Sequence, residues 1–321
     1  MICRFIAQNR DVFGVVPICT ALAGHGIQIA PRTFFAFVKR PPSKRELWDI
    51  TIGELIGSYH QIQPGTGRKK PESMYGVVKM WAQLRRDGIP VARCTVARVM
   101  RAHGWKGVTR TKKVRTTVSD PAAARPADLV HRQFRVPAPN RLFVADFTYV
   151  PLPGDRFVYT ALVIDAFSGL IPGWECSATK HQEMVQSAIR QAARCRARQG
   201  RPLAGETVHH SDAGSQYTAI RFGETLKLEG LLPSIGSVGD AYDNALAETT
   251  IGLYKAECVR PFSPFNDGPF ETISQVERAT SEWVHWYNTT RIMHRLGRIS
   301  PAEAEQRYYS DNSTHQPVGS K

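Results

Sequence analysis

The sequence predicts a mixed α/β domain over its C-terminal half, preceded by an all-α region. Three patterns carry this reading. The first is a run of apolar strand-like segments: RLFVADFTYV (141–150), a Pro153-Gly154-Asp155 turn, RFVYTALVID (156–165) and LIPGWEC (170–176). Together they read as a hairpin with a third strand beside it. The second is alternation of helix and strand further on. A helix is expected from about His181 to Arg198, a strand near Glu206–His210, a helix from near Tyr217 and a short strand around Leu232–Ile235. The third is an internal repeat in the N-terminal part. FGVVPICTALAGHGIQIAPRTFFAF (13–37) aligns with YGVVKMWAQLRRDGIPVARCTVARV (75–99) at an offset of 62, with eight identities in 25.

Each copy of the repeat reads as a helix, a glycine-containing turn and a second helix, the logic of a helix-turn-helix. In the later copy the second helix, about Ala92–His103, is expected to bury Thr95, Val96 and Val99, with Gly104 ending it as a C-cap glycine. Arg93, Arg98 and Arg101 occupy its other faces and suit phosphates or guanine edges in a major groove. The first copy has Arg32 with Phe34, Phe35 and Phe37 in that place. Three phenylalanines fit core or protein contact better than groove readout.

Charge sharpens the difference. The chain has 321 residues, a formal net charge of +14 and a pI near 9.7, which point to a polyanionic partner. From Arg68 to Arg115 there are fourteen Lys/Arg against Glu72 and Asp87, so nearly the whole excess lies in 48 residues. Residues 38–48 and 111–140 read as connectors. Pro121, Pro126, Pro137 and Pro139 mark the second as a boundary, and Lys112, Lys113 and Arg115 at its start could track a DNA backbone. The six cysteines are scattered without a CxxC pair, which argues against a disulfide framework or a structural zinc site and fits a reducing cytoplasm. No run of about 18 apolar residues and no secretory signal is present, so no membrane role is expected.

Three acids stand in settings where a lone carboxylate is costly or exposed to chemistry. Asp146 lies inside an apolar strand, which reads as buried; an unpaired carboxylate there would cost several kcal/mol. Asp212 comes after a strand end near His209 and precedes Gly214 and a helix start, a common place for α/β active sites. Glu248 lies in DAYDNALAETTIGLYK (240–255), read as a helix with Asp240 as N-cap and Asp243 in its first turn. On a 3.6-residue period Asn244, Glu248 and Lys255 share one stripe, which suits a metal ion near Glu248 and a phosphate further along. Between Asp212 and Glu248 lie 35 residues.

With ADFTYV, HHSDAGSQYTA and GSVGDAYDNALAETTIGLYKAE in view, residues 75–307 resemble the DDE transposases of IS-three family insertion sequences, specifically the second-reading-frame product. The 35-residue gap and a lysine seven residues after the Glu match that family's pattern. The resemblance implies a ribonuclease H-like, integrase-type catalytic core. It implies Asp146, Asp212 and Glu248 as catalytic ligands of Mg²⁺ or Mn²⁺, two ions in all, and metal-dependent DNA cleavage at element ends and then strand transfer. It further implies that Lys255 contacts terminal DNA; Asn244, one turn before Glu248, reads as orienting that Glu or contacting DNA. The partners expected are element-end and target DNA, a first-reading-frame product joined by frameshifting, and further copies of the chain on DNA, in a cytoplasmic, nucleoid-associated setting.

The expected division is a first repeat (1–62), a second, basic repeat (63–115), a linker (116–138), the core with C-terminal helices (139–307) and a disordered tail (308–321). His209, His210 and Asp165 read as structural or network residues, and Trp283 and Trp286 as core packing. The closing segment, with Asn288, Arg291, His294 and a helix start at Ser300-Pro301, reads as packing on the core and reaching a phosphate. The chain departs from the family at Phe143, Ala213 and Gly169, where Trp, a basic or polar residue, and Arg are usual. The alternative function is a catalytically silent DNA-binding accessory or repressor of the same fold. A general nuclease is a third reading.

Overall fold

A computed structural model describes residues 1–109, 136–211, 220–235 and 245–313. Two compact units divide the chain, Met1–Leu55 and Ile56–Lys321. In the first, helices α1 (Ile2–Phe13), α2 (Val15–Gly24) and α3 (Pro31–Lys39) close around Ile6, Ile18, Cys19 and Phe34. A fourth helix, α4 (Lys44–His60), comes next. Only one of the three phenylalanines in α3 is core: Phe34 is buried, while Phe35 and Phe37 are exposed.

The second unit opens with α5 (Val77–Arg86) and α6 (Arg93–Ala102), the helices of the second repeat. Thr95, Val96, Val99 and Met100 are buried, which is the inward face expected of α6. Gly104 takes φ +70° and the Trp105 N–H donates to the Met100 carbonyl at 2.9 Å, so the helix ends in a Schellman turn that favours glycine. This repeat is fastened to the C-terminal helices of the same unit. Trp286 Nε1 donates to Glu72 at 3.0 Å, and the Ile292 N–H donates to the Tyr75 hydroxyl at 3.1 Å. Arg68 pairs with Asp267 and Glu282, and Arg86 with Glu303.

The core sheet has five strands: β1 (Leu142–Leu152), β2 (Arg156–Asp165), β3 (Gly173–Ser177), β4 (Thr207–Ser211) and β5 (Leu231–Ile235). Their order is β3-β2-β1-β4-β5, with β1–β3 antiparallel and β4 and β5 parallel to β1. That is the mixed sheet of a ribonuclease H-like domain. Because successive side chains of a strand point to opposite faces, each face takes its own helices. Phe143, Ala145, Ala161 and Val163 pack against α7 (Gln182–Arg198) and α8 (Ile220–Leu228). The other face takes α9 (Ala245–Tyr254) and α10 (Ile273–Thr289), where the Tyr254 hydroxyl lies 3.4 Å from Thr160 Oγ1 and 2.7 Å from Thr280 Oγ1.

Trp283 is fully buried against Tyr254 and Tyr287, and Trp286 is buried against Phe265, as core packing requires. The last helix, α11 (Pro301–Ser313), starts at Ser300 with a reciprocal cap: Ser300 N–H donates to Glu303, whose own N–H donates to Ser300 Oγ. It runs to Ser313, six residues into the stretch expected to be disordered, because Tyr308 and Phe167 stack edge to face and carry the helix on. Among the described residues no helix is long and apolar enough to cross a membrane.

Candidate active site

Asp146 sits at the point where β1 passes from a fully buried stretch, Leu142–Ala145, to a partly exposed one. It is half-buried, not buried as its apolar surroundings in the sequence imply, although Val144, Thr148 and Val150 on the same face of the strand are buried. One carboxylate oxygen accepts the Phe147 N–H at 2.8 Å. The register pairs Asp146 with Leu162, two residues from Thr160 on the face that α9 covers. Glu248 lies in the first turn of α9, half-buried, on that same face. The fold therefore brings Asp146 and Glu248 to one side of the sheet from positions about one hundred residues apart in sequence.

Asp212 and Asn244 lie outside the described residues, as does the N-cap expected at Asp240. The residue before Asp212 is Ser211, the register partner of Ala145, itself the residue before Asp146. Among the described residues no three His, Cys, Asp or Glu side chains assemble as metal ligands.

Seven residues after Glu248 the α-helical hydrogen bonding gives way to a π turn, Lys255–Val259. Lys255 at its start is exposed, and its ammonium lies 4.9 Å from the ring centroid of Tyr149, three residues beyond Asp146 on β1. Sequence reasoning missed Tyr149; its place on the strand gives no separate signal without the fold. Inside the π turn Glu257 is buried and accepts from Arg291 Nη2 at 2.6 Å and Nε at 2.8 Å, while Trp283 Nε1 donates to it at 3.3 Å. Arg291 is 4% exposed, so it serves this pair and does not reach a phosphate.

The neighbouring groups are buried. His209 on β4 is buried and held neutral, its pKa depressed to about 3 by burial and by His210 beside it. His210 Nδ1 lies 3.0 Å from Ser234 Oγ on β5. Asp165 accepts from the backbone N–H groups of Asn140 and Phe167 and pairs with buried Arg196 at 2.8 Å, and Arg196 also grips Glu305 of α11 at 2.6 Å. Burial raises Asp165 to about 6 against the pull of Arg196. Gly169, one of the departures from the family pattern, takes φ +74°, and a side chain there would meet the Arg295 guanidinium. Asn288 both donates to and accepts from the backbone of Ile171, at 2.9 Å each, so the closing segment is stitched to the sheet end.

In the second repeat, Arg93 and Arg101 are exposed on α6 and Arg98 is half-buried. A helix-turn-helix fastened to a ribonuclease H-like core with two acids on one face of the sheet is the arrangement expected of a polynucleotidyl transferase.

Comparison with known proteins agrees. Residues 66–113 match the HTH-like domain family, and residues 136–241 and 229–301 match two integrase core domain families. The chain is 46% identical over 282 residues to the protein named as putative transposase for insertion sequence element IS986/IS6110 of Mycobacterium tuberculosis, covering 88% of this chain and 96% of that one. It is 43% identical over 303 residues to the transposase for insertion sequence element IS629 of Shigella sonnei, covering 94% of each. A simian T-cell lymphotropic virus intasome in complex with PP2A regulatory subunit B56 gamma is similar at 14% identity and a TM-score of 0.44, over 84% of this chain and 76% of that chain. The chain belongs to the integrase-core transposases of IS-three family insertion sequences. It is an enzyme of the DNA polynucleotidyl transferase type.

Proposed function

We propose that Asp146, Asp212 and Glu248 form one carboxylate site that holds two divalent ions, Mg²⁺ or Mn²⁺, and performs both DNA cleavage at element ends and strand transfer. The observation that carries this reading is the register. Ala145 pairs with Ser211 on adjacent parallel strands, and each directly precedes an acid, while Glu248 comes down on the Asp146 face from α9. The donors fit: carboxylate oxygens are the ligands Mg²⁺ prefers, and half-buried acids leave room for waters and a phosphate. Ions bound there would stabilise charge on the attacking and leaving oxygens of an in-line displacement at phosphorus. Attack by water gives a nick, and attack by the freed 3′-hydroxyl joins the end to a target; only the attacking oxygen differs.

The chain's other residues position DNA around that site. Lys255, its ammonium 4.9 Å from the ring of Tyr149 on the strand that carries Asp146, suits a phosphate of the terminal strand, with Asn244 a further contact. Arg93 and Arg101, with Arg98 beside them, suit the backbone or guanine edges of a duplex laid along α6. The assembly is an oligomer on DNA, working with a first-frame product or as its frameshift fusion. The test is Mg²⁺- or Mn²⁺-dependent cleavage and joining of labelled element-end DNA by this chain and by the fusion, comparing wild type with Glu248→Gln. Joined products that vanish in the variant while DNA binding survives support the reading. Equal DNA binding with no cutting by either protein, with either metal, transfers the function to a silent accessory protein.

A further inference from the structure

Helix α7 carries an unusual concentration of charge for its domain. Over residues 139–307 the chain has 17 Lys/Arg against 19 Asp/Glu, yet Arg190–Arg201 holds five arginines and no acid. One of the five, Arg196, turns inward to Asp165 and Glu305. Another, Arg201, stacks on Tyr309 at 3.3 Å. The remaining three, Arg190, Arg194 and Arg198, recur every fourth residue and are exposed on one stripe. Met184, Val185, Ala188, Ile189 and Ala192 bury the opposite stripe against Phe143, Ala145, Ala161 and Val163.

Among the described residues none of the three arginines makes an ion pair. They line a shallow concavity with Ser187 and Gln191, and the acid at its edge, Glu175, accepts from Ser187 Oγ. Gln191 in turn accepts the Trp174 N–H, which fixes the floor of the groove to β3. Because α7 covers the Phe143–Ala145 face, this stripe lies across the sheet from Asp146 and Glu248.

We propose that Arg190, Arg194 and Arg198 form a second DNA-binding surface that grips the phosphate backbone of a duplex on the side of the core away from the acids. A rise of 1.5 Å per residue spreads the three guanidinium stems over about 12 Å. Phosphates along one strand advance ~3.4 Å each, so three contacts to a single strand are within reach. A duplex held here is a different segment from the one at the acids, since the sheet stands between them. That gives one core a grip on a DNA segment beyond the end and target phosphates that must meet at its acids. The inference rests on the transposase reading, and cleavage activity tests that reading separately in the same samples.

The experiment uses the full chain, wild type against Arg190→Gln/Arg194→Gln/Arg198→Gln, with the all-lysine triple variant as a charge-preserving control. Binding is measured against salt for an element-end duplex and for a duplex of unrelated sequence. The glutamine variant is expected to lower the log–log salt slope by about 2.7, from ~0.9 per lost phosphate contact, while the lysine variant keeps it. A drop confined to the element-end duplex assigns the stripe to ends, and a drop with the unrelated duplex assigns it to any DNA, including targets. Cleavage of saturating end duplex continues in the glutamine variant. An unchanged slope in both arms, as an acidic protein partner on this stripe would give, overturns the proposal. So does an affinity loss that the lysine variant fails to restore.

Discussion

The two helix-turn-helix repeats have the same turn and different surroundings. In the first, Gly26 takes φ +80° and the Ile27 N–H donates to the Leu22 carbonyl at 2.9 Å; in the second, Gly88 takes φ +82° and Ile89 donates to Leu84 at 2.9 Å. Leu, Gly and Ile are three of the eight identities between the copies, so the repeat encodes the turn. The helices after the turn differ. The first copy's second helix exposes Phe35 and Phe37, whereas the second copy's exposes Arg93 and Arg101 and buries a mixed Thr-Val-Met face. A shared backbone scaffold thus carries an apolar surface once and a basic, core-fastened one the other time.

The largest effect is expected where the second copy is fastened down. Trp286→Ala removes a buried ring and leaves Glu72 without its indole donor. A loss of about 3–5 kcal/mol is expected in urea unfolding of the Ile56–Lys321 unit. A loss under about 1 kcal/mol would mean that the repeat is only resting on α10.

Next in size is a pH effect at Lys79, which aligns with Pro17 of the first copy. Burial and the nearby Arg291 pull Lys79 down to about 8, whereas it titrates near 10.5 when unfolded. The folded chain therefore holds fewer protons than the unfolded one between those values, and stability rises as pH climbs from about 8 to about 10. The expected gain is about 2 kcal/mol over that window. Lys79→Met should flatten the rise in a urea titration; an unaltered slope would show that Lys79 stays hydrated.

The smallest effect tests the shared turn itself. Gly26→Ala and Gly88→Ala each put a Cβ at positive φ and should each cost about 1 kcal/mol. Similar melting shifts in the two variants support a common turn. A shift in one alone would mean that the copies only look alike in sequence.

These turns were legible in the sequence because a Schellman turn is local: its donor, acceptor and glycine lie within about six residues. The strands of the core and the inward face of α6 were legible for the same reason, through short apolar runs bounded by turns and through helical spacing. The burial of Asp146 was misread, since an apolar run does not show which single position stays open on a face that is otherwise buried. Long-range pairings were not legible. Nothing local marks Glu72 for Trp286, Asp165 for Arg196 or Glu257 for Arg291, because each partner arrives from another element. The Gly169 departure has its physical reason only in the fold, where Arg295 fills the space a side chain would take. Arg190, Arg194 and Arg198 were visible at helical spacing, but the larger charge excess at residues 68–115 overshadowed them.

The acid site is tested most directly by Mn²⁺ binding to the full chain, measured by calorimetry, in Asp146→Asn, Asp212→Asn and the double variant. If the two aspartates share ions across β1 and β4, each single change should abolish most of the binding and the double should add little, as groups acting through one site do. Mn²⁺ binding that survives Asp212→Asn unchanged would contradict a shared carboxylate site.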